Sequence, residues 1–171
     1  YLKSFLKSAF SHLRKNQMII LESTVYPGAT EDVFAKKIKK KFNLGKDFFL
    51  AYSPERINPG VKGKIKYLDI TKVVSGYSKN CLDLVSLFYK KIFKKIYQTK
   101  NIITAEFSKL YENSYRSVNI SLANEMKMIS DKFNLNIYDI IDASKTKPFG
   151  FTSFLPGPGM GGHCIPIDPL F

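Results

Sequence analysis

The sequence predicts an α/β fold in which a parallel sheet carries helices on its faces and a long helix follows the sheet. Two observations predict this fold. Short apolar runs alternate with amphipathic segments up to about residue 100, and alternation of strand and helix is typical of a parallel sheet. From Thr104 to about Phe133 the chain then holds no glycine or proline, which predicts one continuous helix.

The elements follow in order along the chain. The spacing of apolar residues predicts a helix in LKSFLKSAFSHLRK, a strand in MIILES and a second helix in GATEDVFAKKIKKKF. Two more strands are predicted in FFLAYS and KVVSG, a helix in NCLDLVSLFYKKI and a last strand in KKIYQT. The long helix has Thr104 as its expected N-cap, and its length suits a crossing between domains or into a dimer. A short helix in IYDIIDAS follows it.

Composition and charge argue against several classes of protein. No run approaches the roughly 20 apolar residues that cross a bilayer, and we expect no membrane partner. Two widely separated cysteines predict neither a disulfide framework nor a zinc site, so we expect a reducing cytoplasm and no metal. The net charge of +13 invites a nucleic-acid interpretation, but the lysines are spread along the helices, and we expect no nucleic-acid partner.

Polar side chains follow two of the predicted strands. Ser23 and Thr24 follow the first strand, and Glu55 follows the second. Open α/β sheets bind ligands beyond the carboxyl ends of their strands, so these residues are candidate ligand contacts. Alternatively, Ser23 and Thr24 cap the next helix and Glu55 is a charged loop residue.

A group of polar residues lies on the long helix. Lys109 and Asn113 are four positions apart and share one face, with Glu106 and Arg116 on or near it. A solvated polar face is the favoured interpretation of such a group by itself. A functional interpretation requires a second element that brings a reacting atom to this face.

The segment PGPGMGGHCIPIDP contains a glycine pattern. Gly157, Gly159 and Gly162 satisfy G-x-G-x-x-G, which in dinucleotide-binding proteins follows a strand and opens a helix. Prolines on both sides fit neither a preceding strand nor a following helix. We therefore interpret the pattern as a coincidence within a glycine-rich loop.

The same loop presents a thiol. Cys164 is followed four residues later by Asp168, between glycines and prolines. A rigid loop with a thiol beside a carboxylate suits covalent catalysis if a cation, such as Lys109, favours the thiolate. We expect His163 to have a structural role and its ring to point away from the thiol.

Four segments carry a resemblance to a known family. ESTVYPGATE, AYSPERINPG, AEFSKLYENSYRSVNISLANE and TKPFGFTSFLPGPGMGGHCIPIDP resemble segments that occur in this order in the nucleotide-sugar 6-dehydrogenases. That family includes UDP-glucose, UDP-N-acetylhexosamine and GDP-mannose dehydrogenases. SPERINPG and GPGMGGHCIPIDP look most like the bacterial UDP-N-acetylhexosamine branch, which feeds surface polysaccharide synthesis. The resemblance implies NAD-dependent oxidation of the C6 alcohol of a UDP-sugar, the substrate partner, to a carboxylate.

The resemblance implies catalytic roles. Cys164 would be the nucleophile that forms a thiohemiacetal and then a thioester. Lys109 and Asn113 would stabilise the oxyanion, and Asp168 would orient or deprotonate water with Lys109. Glu55 would be the general acid/base of thioester hydrolysis.

The resemblance also implies ligand contacts. Thr24 would hold a water near the cofactor. NAD contacts are implied for Ser23, Thr24, Val25 and Cys164. Sugar-nucleotide contacts are implied for Glu55, Arg56, Ile57, Asn58, Lys109, Asn113, Leu155, Gly157, Gly159 and Gly161.

The implied domains are parts of larger ones. Residues 1–100 would be the C-terminal half of a Rossmann-like NAD-binding domain, and residues 101–171 a central helix with part of an all-α middle domain that forms a homodimer. Family members begin with a strand and a true G-x-G-x-x-G and end with a UDP-binding α/β domain, neither of which this sequence contains. We therefore expect the 171 residues alone to be inactive. Alternatively, the chain is a non-catalytic remnant or dimerisation fragment of such an enzyme.

Overall fold

A computed structural model describes residues 1–57 and 67–171, which form two compact units, Tyr1–Leu110 and Tyr111–Phe171. The first unit contains α1 (Leu2–Ala9), β1 (Gln17–Leu21), a π-helical turn (Thr30–Ala35) that continues as α2 (Lys36–Ile38), β2 (Phe48–Tyr52), β3 (Lys72–Gly76), α3 (Lys79–Lys90) and β4 (Ile96–Gln98). Helix α4 (Ile102–Lys132) runs into the second unit, which also contains α5 (Ile137–Lys145). One-turn 3-10 helices lie at Phe10–His12, Tyr67–Asp69 and Asp168–Leu170.

The four strands form one sheet in the order β1, β2, β3, β4. β1 pairs parallel with β2, and β3 pairs parallel with β4, so the predicted α/β fold class is confirmed. The middle pair differs from the predicted parallel arrangement, because Ala51 lies opposite Gly76 and Tyr52 opposite Ser75 in antiparallel register. A parallel pair needs a long crossover, usually a helix, whereas the described part of the β2–β3 connection holds only the turn Tyr67–Asp69.

Apolar side chains cover both faces of the sheet. Successive residues of a strand point to opposite faces, so Leu50 and Tyr52 enter one core and Ala51 enters the other. The first core includes α1 and the helical segment after β1, and the second includes α3. The predicted helices on the faces of the sheet are therefore present on both.

A buried carboxylate joins the loop after β1 to helix α4. Glu106 is fully buried; its Oε2 accepts from the Gly28 N–H at 2.6 Å, and its Oε1 accepts from the N–H and the hydroxyl of Thr30 at 2.8 and 2.6 Å. These donors belong to the start of the π-helical turn, whose N-cap, Ala29, has no side-chain acceptor of its own. The interpretation of Glu106 as part of a solvated polar face is therefore wrong.

Two expected helix caps also differ from the structure. Asn101 caps α4, because its Oδ1 accepts from the N–H and the hydroxyl of Thr104 at 2.8 Å each. Thr104 is therefore inside the helix rather than at its N-cap. Ser23 and Thr24 do not cap the segment after β1, since that segment starts beyond Ala29. Within residues 1–57 and 67–171, no helix combines the length and the apolar character that crossing a bilayer requires.

We predict that Glu106→Gln lowers the stability of the native polypeptide that carries this sequence. The glutamine amide would point one of its own N–H groups at one of the three groups that now donate to the carboxylate. We therefore expect the free energy of unfolding to fall by about 2 kcal/mol. Urea denaturation measures the change. Glu125→Gln, an exposed position on the same helix, is the control and should change the free energy of unfolding by less than about 0.5 kcal/mol. Equal effects of the two variants would contradict the assignment.

Candidate active site

The carboxyl ends of β1 and β2 meet at one edge of the sheet. Leu21 lies opposite Tyr52, and the pairing continues beyond the strands, because the Ser53 N–H donates to the Leu21 carbonyl at 2.9 Å and the Glu55 N–H to the Glu22 carbonyl at 3.3 Å. The segments 22–25 and 53–57 therefore leave the sheet side by side. The first segment contains the three residues predicted to contact NAD. Ser23 is exposed, Thr24 is half-buried and Val25 is buried.

Glu55 is held by the backbone that follows it. Its Oε1 accepts from the N–H groups of Arg56 and Ile57 at 2.6 and 2.7 Å. Its Oε2 accepts from the Tyr67 hydroxyl at 3.3 Å and lies 3.6 Å from Lys72 Nζ. The side chain is 41% exposed, so the carboxylate is both fixed and reachable. These contacts disfavour the alternative of a plain loop charge.

Two further charged residues at this edge, Glu22 and Lys72, were not predicted as site residues. Lys72, the first residue of β3, is 3% exposed and donates from Nζ to Glu22 Oε1 at 2.8 Å. The Tyr89 hydroxyl donates to the same oxygen at 2.6 Å. Lys72 reaches this edge because β3 runs antiparallel to β2, which brings the amino end of β3 beside the carboxyl ends of β1 and β2. The reversal of β3 was not predicted, so the sequence carried no signal for this pair.

The charges of this cluster shift the pKa values of its members. Burial raises the pKa of Glu22, but the hydrogen bonds from Lys72 and Tyr89 and the charge of Lys72 outweigh burial and lower the pKa below its ordinary value. Burial, followed by the hydrogen bond to Glu22 and its charge, raises the pKa of Tyr89. Burial and the charge of Glu55 raise the pKa of Tyr67. Both phenols therefore stay protonated and remain donors near neutral pH.

In the second unit, helix α4 holds the carboxylate that follows the exposed thiol. Asn113 and Asp168 are buried, and Asn113 Nδ2 donates a short hydrogen bond to Asp168 Oδ2. The Cys164 carbonyl accepts from the N–H groups of Ile167 and Asp168 at 3.1 and 2.9 Å, which closes a turn between thiol and carboxylate. Cys164 itself is exposed. The structure thus places Cys164, Asp168 and Asn113 together.

The glycine-rich loop is tied to the same helix. Asn124 Oδ1 accepts from the Gly157 N–H at 2.8 Å, and the Ser117 hydroxyl lies 2.8 Å from Met160 Sδ. The predicted sugar contacts of this loop are exposed: Leu155, Gly157, Gly159 and Gly161. Asn124 and Ser117 were not predicted as site residues; both lie on the same side of α4 as Asn113, but their contacts depend on how the loop folds against the helix.

The loop does not have the form of a dinucleotide motif. Gly159 and Gly162 have φ angles of 137° and 97°, a region that glycine enters without strain. No helix starts at these glycines; the next helix is the single turn Asp168–Leu170. His163 Nδ1 lies 3.9 Å from Cys164 Sγ. The prediction that the His163 ring points away from the thiol is therefore wrong.

The remaining predicted residues take the following places. Lys109 is half-buried and lies one turn before Asn113 on α4, and Arg116 is exposed. The Arg56 guanidinium donates to the Thr71 carbonyl at 3.0 Å, and Ile57 is exposed. Asn58 lies outside the described residues. In the part of the chain that the structure describes, no three His, Cys, Asp or Glu side chains are grouped as a metal site.

Two family models match the chain. Residues 1–99 match the NAD binding domain of the UDP-glucose/GDP-mannose dehydrogenase family, and residues 103–171 match its central domain. The chain belongs to this family. The first match confirms the predicted cofactor, NAD, and both matches confirm the resemblance in the sequence.

Individual members of the family are similar over most of the chain. Protein CapL of Staphylococcus aureus is 43% identical over 157 residues, which are 90% of this chain and 36% of CapL. UDP-N-acetyl-D-glucosamine 6-dehydrogenase of Pseudomonas aeruginosa is 40% identical over 93% of this chain and 38% of its own length. The structure of the UDP-D-ManNAc dehydrogenase from Pyrococcus horikoshii is 35% identical with a TM-score of 0.89, covering 99% of this chain and 40% of that one. The chain therefore spans less than half the length of these relatives.

We predict that Asn124→Leu loosens the glycine-rich loop. The Gly157 N–H would lose its acceptor, and a hydrogen bond contributes about 1 kcal/mol, so amide exchange at this end of the loop should become about fivefold faster. Hydrogen–deuterium exchange followed by mass spectrometry measures residues 156–164. Asn124→Asp keeps an acceptor oxygen and serves as the control with near-unchanged exchange. Unchanged exchange in Asn124→Leu would show that the contact does not hold the loop.

Proposed function

We propose that the native polypeptide carrying this sequence oxidises the C6 alcohol of a UDP-sugar, a UDP-N-acetylhexosamine or UDP-glucose, to the uronate with NAD. The observation that carries the proposal is the turn in which an exposed Cys164 precedes Asp168, whose carboxylate is held by buried Asn113. The UDP-N-acetylhexosamine dehydrogenases among the similar proteins support that class of sugar. The product would be a precursor of surface polysaccharide.

NAD binding would use the edge of the sheet at β1. The segment Ser23–Val25 leaves the carboxyl end of a strand that has a parallel neighbour, the position at which open α/β sheets bind nucleotides. The exposed Ser23 and half-buried Thr24 can face a ligand, while buried Val25 anchors the segment. Thr24 would hold a water near the cofactor. When bound, NAD supplies a hydride acceptor for each of the two oxidation steps.

Cys164 would be the nucleophile. Its thiolate would add to the C6 aldehyde, forming a C–S bond and a thiohemiacetal, and loss of a hydride from C6 would leave a thioester on Sγ. Asn113 has two amide N–H groups, and Asp168 uses one, so the second can donate to the oxyanion. Lys109 would add a positive charge for the oxyanion and the thiolate.

Thioester hydrolysis needs a base for water. Glu55 Oε1 is occupied by two backbone N–H groups, whereas Oε2 has longer contacts and retains lone pairs that can accept a proton. Water would transfer a proton to Glu55, bond to C6 and release the Cys164 thiolate. Asp168, with Lys109, would orient this water. The loops with Arg56, Ile57 and Asn58 and with Leu155, Gly157, Gly159 and Gly161 would contact the sugar nucleotide.

The exposed side of α4 supports a homodimer. Apolar residues recur at helical spacing along α4, and apart from buried Leu110 they are exposed: Val118, Leu122, Met126, Ile129 and Phe133. Leu122 and Met126 also line a groove of about 690 Å³ between α4, α5 and residues 148–154. We propose that a second copy covers this side, within a middle domain that starts at residue 101 after a partial NAD-binding domain of residues 1–100. The cytoplasmic location and the inactivity of the isolated 171 residues stay predictions.

We predict that Cys164→Ser abolishes uronate formation by the native polypeptide. A serine alkoxide is formed much less readily than a thiolate and is a poor leaving group from an acyl intermediate, so the rate should fall at least about 1,000-fold. NADH absorbance measures turnover with UDP-N-acetylglucosamine, UDP-N-acetylmannosamine and UDP-glucose. Cys81→Ala, a change at the buried cysteine, is the control and should retain activity.

The outcomes separate the candidates. Unchanged turnover in Cys164→Ser would refute the nucleophile. Absence of turnover in the unaltered polypeptide with every sugar tested would favour the alternative of a non-catalytic remnant. NADH formation by the 171 residues alone would contradict their predicted inactivity.

We predict that Leu122→Glu combined with Met126→Glu converts a homodimer into monomers. Two carboxylates on the apolar side of α4 would have to be buried without partners in the interface. Size-exclusion chromatography with light scattering measures the mass. Lys132→Glu, an exposed charge change on the same helix, should leave the dimer intact. A dimer that survives the double substitution would place the interface elsewhere.

A further inference from the structure

Helix α1 and the π-helical segment that continues as α2 border a groove that is rich in lysine. The groove has a volume of about 710 Å³, and Lys3 and Lys7 line it on the α1 side. The other wall carries four more lysines: Lys36, Lys37, Lys40 and Lys41. Asp32 is the one acidic side chain among the described residues that line the groove. The groove therefore has a strong excess of positive charge.

Apolar side chains form the floor of this groove. Leu6 is buried, and Phe10 and Val33 are half-buried. The lysines around them are exposed, except for half-buried Lys37. The ammonium groups thus form the rim of the groove, and the apolar groups lie beneath them.

Most of the lysine charges lack a carboxylate partner. Lys36 pairs with Asp32 at 2.6 Å. Within residues 1–57 and 67–171, no carboxylate pairs with Lys3, Lys7 or Lys40. Lys3 and Lys7 are one helical turn apart, and like charges at that spacing repel each other. A partner with several negative charges would turn this repulsion into attraction.

The groove is poorly suited to nucleic acid. Bases bind single-stranded nucleic-acid sites by stacking on aromatic rings, and arginine is the preferred side chain for phosphate. Lys37 and Lys41 Nζ lie 5.0 and 5.7 Å from the centre of the Phe10 ring, so both ammonium groups already occupy positions near that ring. No arginine is found among the described residues of the groove. Phosphates would match the charge of the rim, but bases would not match the floor.

A peptide with acidic and apolar side chains fits the rim and the floor together. Apolar groups that enter a bilayer project from the protein surface, whereas Leu6, Phe10 and Val33 lie below the lysines. An amphipathic peptide in a groove places its apolar side chains on the floor. Its carboxylates would then reach the lysines of both walls.

We propose that the groove between α1 and the α2 segment is a docking site for an acidic, amphipathic peptide segment of a partner protein. Lysines on both walls contact its carboxylates, and Leu6, Phe10 and Val33 contact its apolar side chains. The inference does not use the proposed active site. Because the contacts are largely electrostatic, the affinity depends on salt.

The test measures peptide binding by the native polypeptide that carries this sequence. The probe is a fluorescent peptide of about 12 residues in which pairs of glutamates alternate with leucines, a length that spans about 18 Å as a helix and exceeds that of α1. Two matched peptides replace glutamate by glutamine or leucine by serine. Fluorescence anisotropy should show that the probe binds at least about tenfold more tightly than either, since each matched peptide loses one of the two sets of contacts. Binding should weaken as salt rises from about 0.01 to about 0.1 M, because the Debye length falls from about 30 to about 10 Å.

A charge-reversal variant locates the binding. Lys3→Glu, Lys7→Glu and Lys40→Glu combined should weaken binding of the probe at least about tenfold, because three attractions become repulsions on the two walls. All three side chains are exposed, so the fold should be retained, as circular dichroism measures. If the combined variant does not fold, Lys7→Gln with Lys40→Gln decides the question, with an expected weakening of about threefold.

The control makes the same change in net charge elsewhere. Lys90→Glu, Lys91→Glu and Lys95→Glu combined alter exposed lysines at the end of α3 and before β4, outside the groove. Binding of the probe should stay within about twofold at about 0.1 M salt, since charges farther away than a Debye length are largely screened. Both combined variants should keep the NADH formation of the unaltered polypeptide.

The remaining outcomes overturn the inference. Equal weakening in the two variants, equal binding of the three peptides, or no binding of the probe would show that the groove does not recognise an acidic, amphipathic segment. Tighter binding of single-stranded DNA of the same length would assign the groove to nucleic acid. Co-sedimentation with vesicles of phosphatidylglycerol and phosphatidylcholine, lost only in the groove variant, would assign it to a membrane surface. Absence of NADH formation in the unaltered polypeptide would overturn the proposed function and leave the peptide result unaffected.

Discussion

The buried carboxylate of Glu106 is the interaction on which the first unit depends. One side chain of α4 accepts three hydrogen bonds from the loop after β1, and it is fully buried. A buried carboxylate that loses its donors is strongly destabilising, so the loop and the start of the helix cannot move independently. Ser23–Val25 and Lys109 lie within a few residues of the two ends of this contact. A structural carboxylate thereby sets the spacing between the proposed cofactor segment and a proposed catalytic cation.

In the second unit, side chains of helix α4 likewise fix a loop in place. Asn113 contacts Asp168, Ser117 contacts Met160, and Asn124 contacts Gly157. The three contacts join the helix to different points of the segment that runs from the glycine-rich loop to Asp168. Residues at these spacings lie along one side of a helix. The segment is thus held at three positions along the helix, while Cys164 stays exposed. Such an arrangement keeps a reactive group accessible without leaving its backbone free.

The sequence predicted the elements well and their contacts less well. Strands and helices in the first half follow from periodicity, and α4 follows from the absence of glycine and proline, because both signals are local. The direction of β3 was missed because strand pairing depends on a connection whose path is not encoded in local periodicity. The interpretation of Glu106 as solvated follows from the group of polar residues on one face of the helix, which is usually exposed, and only the tertiary fold brings Gly28 and Thr30 to it.

The candidate site shows the same division. The thiol, its aspartate and the two polar helix positions could be predicted from short motifs and from the resemblance, since those residues lie in segments with distinctive composition. Lys72 could not, because KVVSG has the pattern of an ordinary buried strand. Asn124 could not, because its role depends on which loop folds back over the helix.

The reversal of β3 has a consequence for how such a site can change over time. Side chains that follow a strand belong to loops, and loops tolerate insertions and deletions. The positions of such side chains therefore change when the loop length changes. Lys72 instead belongs to the strand itself, and its backbone is bonded into the ladder. An insertion in a neighbouring loop cannot displace it without breaking sheet pairing. The buried charge at this edge is therefore held by the sheet, and the surrounding loops can change in length without moving it.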